Sequence, residues 1–430
     1  MDINNLIRSG KLEDVYGNDT AIISYQKERI ERAVGNFETQ FGKCEDLHIF
    51  SAAGRSEIGG NHTDHQRGQV LAASLNIDSL AIASAVSENV ITLHSEGYDT
   101  FKIDLSALDS DKSGGDTAAL IRGVVAGFIK KGYKTGGFNA YVTSDVLGGS
   151  GLSSSASFES LIGVILSGLF NGSEVSTIDI AKIGQYAENH YMNKPCGLMD
   201  QMACSVGGFV HIDFARSADS DTLFDDSYPK VERIDFDPSD YGYDLVITDT
   251  KASHADLTDD YAAIPIEMKK VAQFFGKEVL SEVSPDDFMN NIPEIRKVTG
   301  DRAVMRAIHF FDENNRVMVE AESLKAGDFD RFLRRFSSSA RSSFEYLQNI
   351  YSVKYPDRQG VTIALAISDM VLSSPQKGIA RVHGGGFAGT IQAFVKKEYT
   401  DEYINKMNAL LGEGSAKKYS IRKYGCIRIV

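Results

Sequence analysis

Hydrophobic and polar positions along the chain predict strands and helices in both of its halves. Phe138, Ala140 and Val142 alternate with polar residues, the period of two that is typical of a half-buried strand. Apolar residues then recur at helical spacing from Phe158 to Leu169. Helices predominate over 261–350, and further strands are predicted at 47–50, 208–212, 243–248, 391–395 and 426–430. Because strand and helix patterns mix in both halves, the predicted class is α+β.

Two local signals refine this pattern. The apolar segments 80–86 and 90–93 are separated by a few polar residues, which predicts a β-hairpin with a short turn. Ser176 and Asp179 have the spacing of a helix cap, so a helix is expected to begin there.

The chain is long enough for two domains. It has 430 residues, which can form two cores of ordinary size. The segment 215–227 is polar and acidic, and it is the predicted join between the domains. We therefore expect an N-terminal domain over residues 1–214 and a C-terminal domain over residues 215–430.

Composition restricts the class of partner. Hydrophobic residues make up 42% of the chain and charged residues 24%, the proportions of a globular protein. The formal net charge of −14 argues against a nucleic-acid-binding surface. The four cysteines show no C-x-x-C spacing, and no signal peptide or membrane span is evident. We expect a cytoplasmic protein without nucleic-acid or membrane partners, either a monomer or a weak homo-oligomer.

A loop rich in glycine and serine follows the strand that ends near Val142. Residues 147–156 hold three glycines and four serines, and a helix is predicted directly after them. Glycines allow close approach of the backbone to a phosphate, and a helix N-terminus adds a positive dipole end. The loop lacks the Gly-Lys-Ser/Thr of a Walker motif, and it does not match G-x-G-x-x-G. Taken alone, it could equally be a flexible turn.

Two other segments are unusually dense in polar residues or glycine. Residues 53–66 contain one arginine, two histidines, one aspartate and one asparagine between apolar segments. Residues 382–390 contain a second glycine-rich loop, which leads into the predicted strand 391–395. Taken alone, the first of these segments is more typical of an exposed polar loop than of a site.

Considered together, these segments resemble the GHMP small-molecule kinases and, more narrowly, the galactokinase family. That family carries G-R-x-N-L-I-G-E-H-T-D-Y near its start, and Gly54 to His65 is similar to it. The resemblance extends from about Phe50 to the C-terminus, and it rests on ordered motifs in Gly54–His65, Gly151–Ala156, Ala187–Asn189, Cys196–Gln201, Asp260–Tyr261 and Gly384–Phe387. It implies a two-domain GHMP kinase fold with a ribosomal protein S5 domain 2-like N-terminal domain, a ferredoxin-like C-terminal domain and an active site between them.

The resemblance also implies a reaction and a set of residues. The reaction is transfer of the γ-phosphate of ATP to the anomeric hydroxyl of galactose, with Asp200 accepting or orienting the hydroxyl proton and Arg55 lying opposite. Mg²⁺ is implied, with Ser155 and Glu188 as its ligands. The residues expected to bind the nucleotide are Gly149, Ser150, Gly151, Leu152, Ser153, Ser154 and Ser155. The residues expected to hold the sugar are Asn61, His62, Thr63, Asp64, Gly197 and Tyr261.

The chain departs from the family in its first motif. Asn-Leu-Ile is Glu57-Ile58-Gly59 here, and the family glutamate that contacts the sugar near C6 is Asn61. An amide there would remove a charge that repels an anionic sugar, so galacturonate is an alternative substrate to galactose. Asp64-His65-Gln66 favours the same alternative, because plant galacturonate kinases are similar in having Asp-His-Gln at this place.

Other functions stay open beside these two. N-acetylgalactosamine would need room at C2, which a sequence does not reveal. A non-catalytic sugar sensor is disfavoured by the complete serines 153–155, and a mevalonate or homoserine kinase by the sugar motif His62–Asp64.

Overall fold

The structure is a computed structural model that describes residues 9–108, 116–146, 151–192, 196–215, 223, 225–252 and 256–430. The described strands are β1 His48–Gly59, β2 Gln69–Ala85, β3 Val90–Ser95, β4 Thr100–Asp104, β5 Phe138–Ser144, β6 Phe209–Asp213, β7 Lys230–Ile234, β8 Tyr243–Asp249, β9 Gly378–Val382, β10 Thr390–Lys396, β11 Ala416–Tyr419 and β12 Cys426–Arg428. They form two sheets, so the expected α+β class is confirmed.

The first sheet has eight strands among the described residues. Its main path runs β12-β1-β2-β5-β3-β4, while β6 pairs with β2 and β7 pairs with β6. The second sheet has four, in the order β11-β8-β10-β9. The division predicted at residues 214 and 215 stays a prediction, although β7 and β12 follow it in the chain and lie in the first sheet.

Helices cover both sheets. Their bounds are α1 Lys11–Tyr16, α2 Thr20–Phe41, α3 Thr117–Lys130, α4 Ser154–Phe170, α5 Thr177–Tyr191, α6 Met199–Val206, α7 Thr258–Phe274, α8 Pro285–Thr299, α9 Asp301–Lys325, α10 Phe329–Ser342, α11 Gly360–Leu372 and α12 Thr400–Leu411. The Ser176 hydroxyl accepts a hydrogen bond from the Asp179 amide at 3.0 Å, which confirms the predicted helix start at α5. Among the described residues, no helix is both long and apolar enough to cross a membrane.

Alternate residues of the first sheet enter different cores. Ile49 and Ile82 pack with apolar residues of α1 and α2 on one face. Phe50 and Ala83 pack with α3, α4 and α5 on the other. Since successive side chains of a strand point to opposite faces, this sheet is buried on both sides, and the α4–α6 segment is fixed against it.

The hairpin predicted from 80–86 and 90–93 is wrong, because β5 lies between β2 and β3 and pairs with both. β5 enters this place at Gly137, where a Cβ atom would overlap the carbonyl oxygens of Glu88 and Val90. Hydrophobic periodicity finds strands, but it does not reveal which strand becomes whose neighbour.

Strand β1 is longer than the sequence predicts. Only 47–50 is apolar enough to be predicted as a strand, yet the ladder continues to Gly59 through a buried polar segment. Arg55 and Glu57 therefore lie on a rigid strand rather than in a polar loop. Both side chains are more than nine-tenths buried, so they need partners inside the protein.

Gly59, at the end of β1, lies against a buried carboxylate. A Cβ atom at this position would overlap Oε2 of Glu320, a residue of α9 that is fully buried. Among the described residues, neither carboxylate oxygen of Glu320 has a hydrogen-bond partner. Burial, together with the negative charge of Glu313, raises the pKa of Glu320 well above its usual range. The folded protein therefore keeps Glu320 protonated at pH values where the unfolded chain has lost this proton.

Stability should fall as pH rises above the pKa of Glu320 in the unfolded chain, because the native state then binds more protons. We expect Glu320→Gln to raise the free energy of unfolding at pH 8 by about 1–3 kcal/mol, and by much less at pH 5. Urea unfolding at both pH values measures this. Glu294→Gln, at an exposed ion pair of α8, is the control and should change neither value. An equal gain at both pH values would contradict the account.

Candidate active site

A cavity of about 480 Å³ opens where the first sheet, the helices behind it and the glycine-rich turn after β9 come together. It is lined by Arg55, Glu57, His62, Asp64, His65, Ser155, Glu188, Cys196, Gly197, Met199, Asp200, Gln201, Tyr261, Gly384 and Gly385. The structure thus brings residues from distant parts of the chain to one polar pocket.

Arg55 and Asp200 form a paired contact on the wall of this cavity. Nε of Arg55 donates to Oδ1 of Asp200 and Nη2 to Oδ2, both at 2.7 Å. Burial disfavours the charge of Arg55, but the attraction of Asp200 outweighs it and raises the pKa of Arg55. The Asp200 side chain keeps about a third of its surface exposed, against 9% for Arg55. The arginine is therefore a fixed support and the carboxylate faces the cavity.

The start of α4 is tied to the same pair. Ser153 precedes the helix in a left-handed conformation, and its hydroxyl donates to Oδ2 of Asp200 instead of capping the helix. Nη1 of Arg55 donates to the carbonyl of Gly151 at 2.6 Å, and its backbone amide donates to the carbonyl of Leu152 at 3.2 Å. Ser154 and Ser155 form the first turn of α4, whose free amides suit an anion.

Two predicted nucleotide-binding residues are not placed by the structure. Gly149 and Ser150 lie outside the described residues, which resume at Gly151. The described half of the loop, 151–155, contacts Arg55 and Asp200 or opens α4. The described part of this loop is therefore held against β1 by Arg55, next to the start of α4.

Ser155 and Glu188 both line the cavity and bring oxygen donors to it. Glu188 belongs to α5 and is 2% exposed, and its Oε2 lies 3.5 Å from Nε2 of Gln201. The same amide donates to Oε2 of Glu159 at 3.1 Å. Hydroxyl and carboxylate oxygens are the donors that Mg²⁺ takes, so the pair fits this ion. Among the described residues, no group of three or more His, Cys, Asp or Glu side chains could hold a metal.

Asp64, Gly197 and His62 form the opposite side. A Cβ atom at residue 197 would lie 2.5 Å from Oδ2 of Asp64, so only glycine lets this carboxylate come so close. Nε2 of His62 lies 2.9 Å from the carbonyl of Gly385, which makes Nε2 the donor and leaves Nδ1 as an acceptor. Burial lowers the pKa of His62 to about 4, so the ring is neutral at pH 7. This side presents oxygen and nitrogen acceptors.

Tyr261, on α7, lines the cavity beside the glycine-rich turn after β9. Its hydroxyl donates to the carbonyl of Gly386 at 2.5 Å, and its ring packs edge-on against Phe387 with 5.3 Å between centroids. Gly385 lies under the ring. The glycine-rich turn thus provides both a floor for Tyr261 and the carbonyl that fixes His62.

Two of the predicted sugar contacts do not line the cavity as the described residues define it. Asn61 is fully buried, and its side chain bonds Glu57, Gly384 and Asn349. Thr63 is fully buried too, and its hydroxyl bonds the carbonyls of Gly60 and Gln69. Both residues shape the turn after β1.

The cavity is also lined by residues of the predicted motifs to which the sequence assigned no role, namely Glu57, His65, Cys196, Met199, Gln201, Gly384 and Gly385. Glu57 had an available signal, because it lies two residues after Arg55 and a strand returns to the same face with a period of two. Gln201 follows Asp200 directly. Gly384 and Gly385 were singled out as a motif but were not assigned to the site.

The chain is similar to known proteins over most of its length. Residues 119–208 match the GHMP kinases N terminal domain, and residues 35–85 match a galactokinase galactose-binding signature. The chain is 29% identical to a galactokinase of Bacillus subtilis (strain 168) over 384 residues, 88% of this chain and 92% of that protein. It is 30% identical to a galactokinase of Lactococcus lactis subsp. cremoris (strain MG1363) over 372 residues, 84% of this chain and 86% of that protein.

The fold has a structural counterpart as well. It matches the crystal structure of Lactococcus lactis galactokinase complexed with galactose with a TM-score of 0.76 at 23% identity. The match covers 93% of this chain and 100% of that one. Of the two segments matched in sequence, 35–85 carries Arg55 and 119–208 carries Asp200.

The contact between Gly385 and Tyr261 can be tested by its packing alone. A Cβ atom at residue 385 would lie 2.5 Å from Cε1 of Tyr261, so we expect Gly385→Ala to lower the free energy of unfolding by about 1–3 kcal/mol. In a Tyr261→Ala background the same change should cost less than about 0.5 kcal/mol. Gly35→Ala, in helix α2 with open space around it, is the control and should not destabilise. Equal costs of Gly385→Ala in both backgrounds would refute the contact.

Proposed function

This chain belongs to the galactokinase family of GHMP kinases, and from that premise we propose that it transfers the γ-phosphate of ATP to the anomeric hydroxyl of galactose, giving galactose 1-phosphate. The observation that carries the proposal is the paired contact of Arg55 with Asp200 on the cavity wall. Ser155 and Glu188 line one part of this cavity, and His62, Asp64 and Tyr261 line another. This arrangement supports a phosphate donor on one side of the Asp200 carboxylate and a sugar on the other.

Asp200 accepts or orients the proton of the attacking hydroxyl. About a third of the Asp200 side chain is exposed in the cavity, so a substrate hydroxyl can reach the carboxylate that Arg55 holds. Phosphoryl transfer passes through a loose transition state, so little proton transfer is needed early and a carboxylate of low basicity is sufficient. Arg55 holds Asp200 in one orientation and offsets charge on the moving phosphoryl group.

ATP lies with its phosphates at the start of α4. The residues that we assign to it are Gly149, Ser150, Gly151, Leu152, Ser153, Ser154 and Ser155, and the free amides of the first turn favour the negative charge. Ser155 and Glu188 would hold Mg²⁺, which neutralises phosphate charge when bound. A site with two protein ligands leaves the other positions to phosphates and waters.

The sugar lies between Asp64, His62, Gly197 and Tyr261. Asp64 and His62 pair directly with hydroxyls, and direct pairing discriminates epimers because a wrong one leaves buried groups unpaired. Asn61 and Thr63 act on the sugar through the turn that they hold.

We extend the proposal to a cytoplasmic location. The four cysteines, Cys44, Cys196, Cys204 and Cys426, all lie in the described part of the chain and form no disulfide, which fits a reducing compartment. ATP is plentiful in the same compartment. The oligomeric state proposed with it is a monomer or a weak homo-oligomer.

Removal of the Asp200 charge tests the mechanism. With galactose, ATP and Mg²⁺ we expect ADP release by the wild-type chain, and a loss of kcat of roughly 10²–10⁴-fold in Asp200→Asn. The KM for ATP should change less than kcat, since the backbone amides in the first turn of α4 are unchanged. Asp301→Asn, at an exposed ion pair on α9, is the control and should keep full activity.

Two results would contradict the proposal. Full turnover by Asp200→Asn, with its thermal unfolding unchanged, would remove Asp200 from the mechanism. No ADP release by the wild-type chain with galactose, galacturonate or N-acetylgalactosamine, alongside binding of galactose in calorimetry, would instead indicate a sugar sensor.

The metal proposal rests on Glu188 and has a matched control. We expect Glu188→Gln to raise the Mg²⁺ concentration for half-maximal rate by about tenfold or more, because an uncharged amide is a poorer ligand for this ion. Glu159→Gln changes a carboxylate that contacts the same Gln201 amide, and it should leave the Mg²⁺ dependence unchanged. A Mg²⁺ titration of the initial rate measures both, and equal shifts would refute the assignment.

A further inference from the structure

Compared with the family motif, the carboxylate and the amide are exchanged between residues 57 and 61. The motif G-R-x-N-L-I-G-E has asparagine where this chain has Glu57, and glutamate where it has Asn61. We propose that Glu57 is the sugar-facing carboxylate of this chain, that Asn61 positions it, and that the pair makes the site selective for neutral sugars over uronic acids. This inference rests on the proposed galactose 1-kinase activity.

Asn61 is committed to the protein interior. Its Nδ2 donates to Oε1 of Glu57 at 2.8 Å and to the carbonyl of Gly384 at 2.6 Å. Its Oδ1 accepts from Nδ2 of Asn349 at 2.6 Å. Both amide hydrogens and the amide oxygen are therefore used, and the residue is fully buried. A sugar contact by Asn61 would have to break one of these bonds in a dry environment, which costs about 1–3 kcal/mol.

Glu57 has the opposite character. It lines the cavity together with Arg55, His62 and Asp64, although only 4% of its surface is exposed. Oε1 takes the bonds from Asn61 and from Nη2 of Arg381, the latter at 3.2 Å. Among the described residues, no donor reaches Oε2. A carboxylate oxygen on the cavity wall that no protein donor occupies is suited to accept a hydrogen bond from a sugar hydroxyl.

The direct bond between the two side chains explains why the substitutions occur together. A change at residue 61 alone would place two carboxylates in contact, and a change at residue 57 alone would place two amides there and leave Arg381 without its charge partner. The exchange at both positions keeps one carboxylate, one amide and the hydrogen bond that joins them. The negative charge therefore lies at residue 57 of β1 instead of at residue 61 of the following turn.

The retained charge sets the substrate class. A carboxylate pairs well with a donating hydroxyl, whereas it repels the carboxylate of a uronic acid at close range. Asn61 considered by itself favours galacturonate, but the pair with Glu57 favours galactose. Burial raises the pKa of Glu57 to about 7, against the opposing effect of Arg381, so assays at pH 8 examine the charged form.

A reciprocal exchange tests the pair. The variants are Glu57→Asn, Asn61→Glu and the double variant, assayed at pH 8 for the KM of galactose, the KM of ATP, kcat and the thermal midpoint. We expect each single variant to raise the KM of galactose by about tenfold or more, since bonds to charged groups are worth about 1.5–3 kcal/mol. The KM of ATP should stay within about twofold. The double variant should return the KM of galactose to within several-fold of wild type.

The selectivity is measured separately with Glu57→Gln, which removes the charge and keeps the shape. We expect the ratio of kcat/KM for galactose over galacturonate to fall by about tenfold or more. Glu320→Gln is the control: it makes the same Glu-to-Gln change at a buried carboxyl group beside the same strand but outside the cavity, and it should leave this ratio unchanged.

Three outcomes would overturn the inference. They are an unchanged KM of galactose in Glu57→Asn, a double variant no better than the worse single variant, and a selectivity ratio that does not move in Glu57→Gln. A double variant that recovers the thermal midpoint of wild type but not its KM of galactose would show that the pair has a structural role only. Absence of galactose phosphorylation by the wild-type chain would instead refute the activity on which the inference rests, so the two failures are distinguishable.

Discussion

The end of strand β1 is fixed by the buried guanidinium of Arg381, which reaches across from the second sheet. Arg381 donates to the carbonyl of Ile58 and to the carboxylate of Glu57. Gln392 lies beside it and bonds the Ser56 hydroxyl at 2.9 Å and the Glu57 carbonyl at 2.5 Å. These groups are buried, so separation of the two sheets would leave them unpaired in a dry interface. The cavity keeps its shape because this interface is polar and satisfied, which ties specificity to the relative position of the sheets.

The same region shows how local environment sets the charge of a buried carboxylate. Glu313 and Glu320 lie on one helix, α9, and both are fully buried. Burial alone would raise the pKa of Glu313, but the charges of His309 and Arg316 lower it to about 2. Among the described residues, Glu320 has no hydrogen-bond partner on either carboxylate oxygen, and its pKa is raised. Glu57 lies between these extremes, with partners on one oxygen only. That intermediate state leaves a charged atom available to a ligand.

Much of the fold followed from the sequence, because apolar periodicity is a local property. It located β5, β8, β10 and α4, and Ser176 marked the start of α5. It failed wherever the answer depended on distant partners. The strand between β2 and β3 comes from residues 138–144. It needs a glycine at its start, and the apolar pattern of the two predicted hairpin strands gives no sign of this. The polar half of β1 was not predicted as a strand, because its side chains are satisfied by residues more than a hundred positions away.

The candidate site shows the same limit at the scale of single residues. The family resemblance pointed to Arg55, Asp200, Ser155 and Glu188, and the structure brings all of them to one cavity. Asn61, considered as one changed letter, indicated a lost charge at the sugar. The fold places its amide against Glu57, four residues earlier, so the charge is retained and displaced. The two positions are therefore expected to change together. One carboxylate and one amide form the same hydrogen bond whichever of the two residues carries the carboxylate. The charge that a sugar meets is a property of both positions together, and it emerges only when the turn after β1 folds back on the strand.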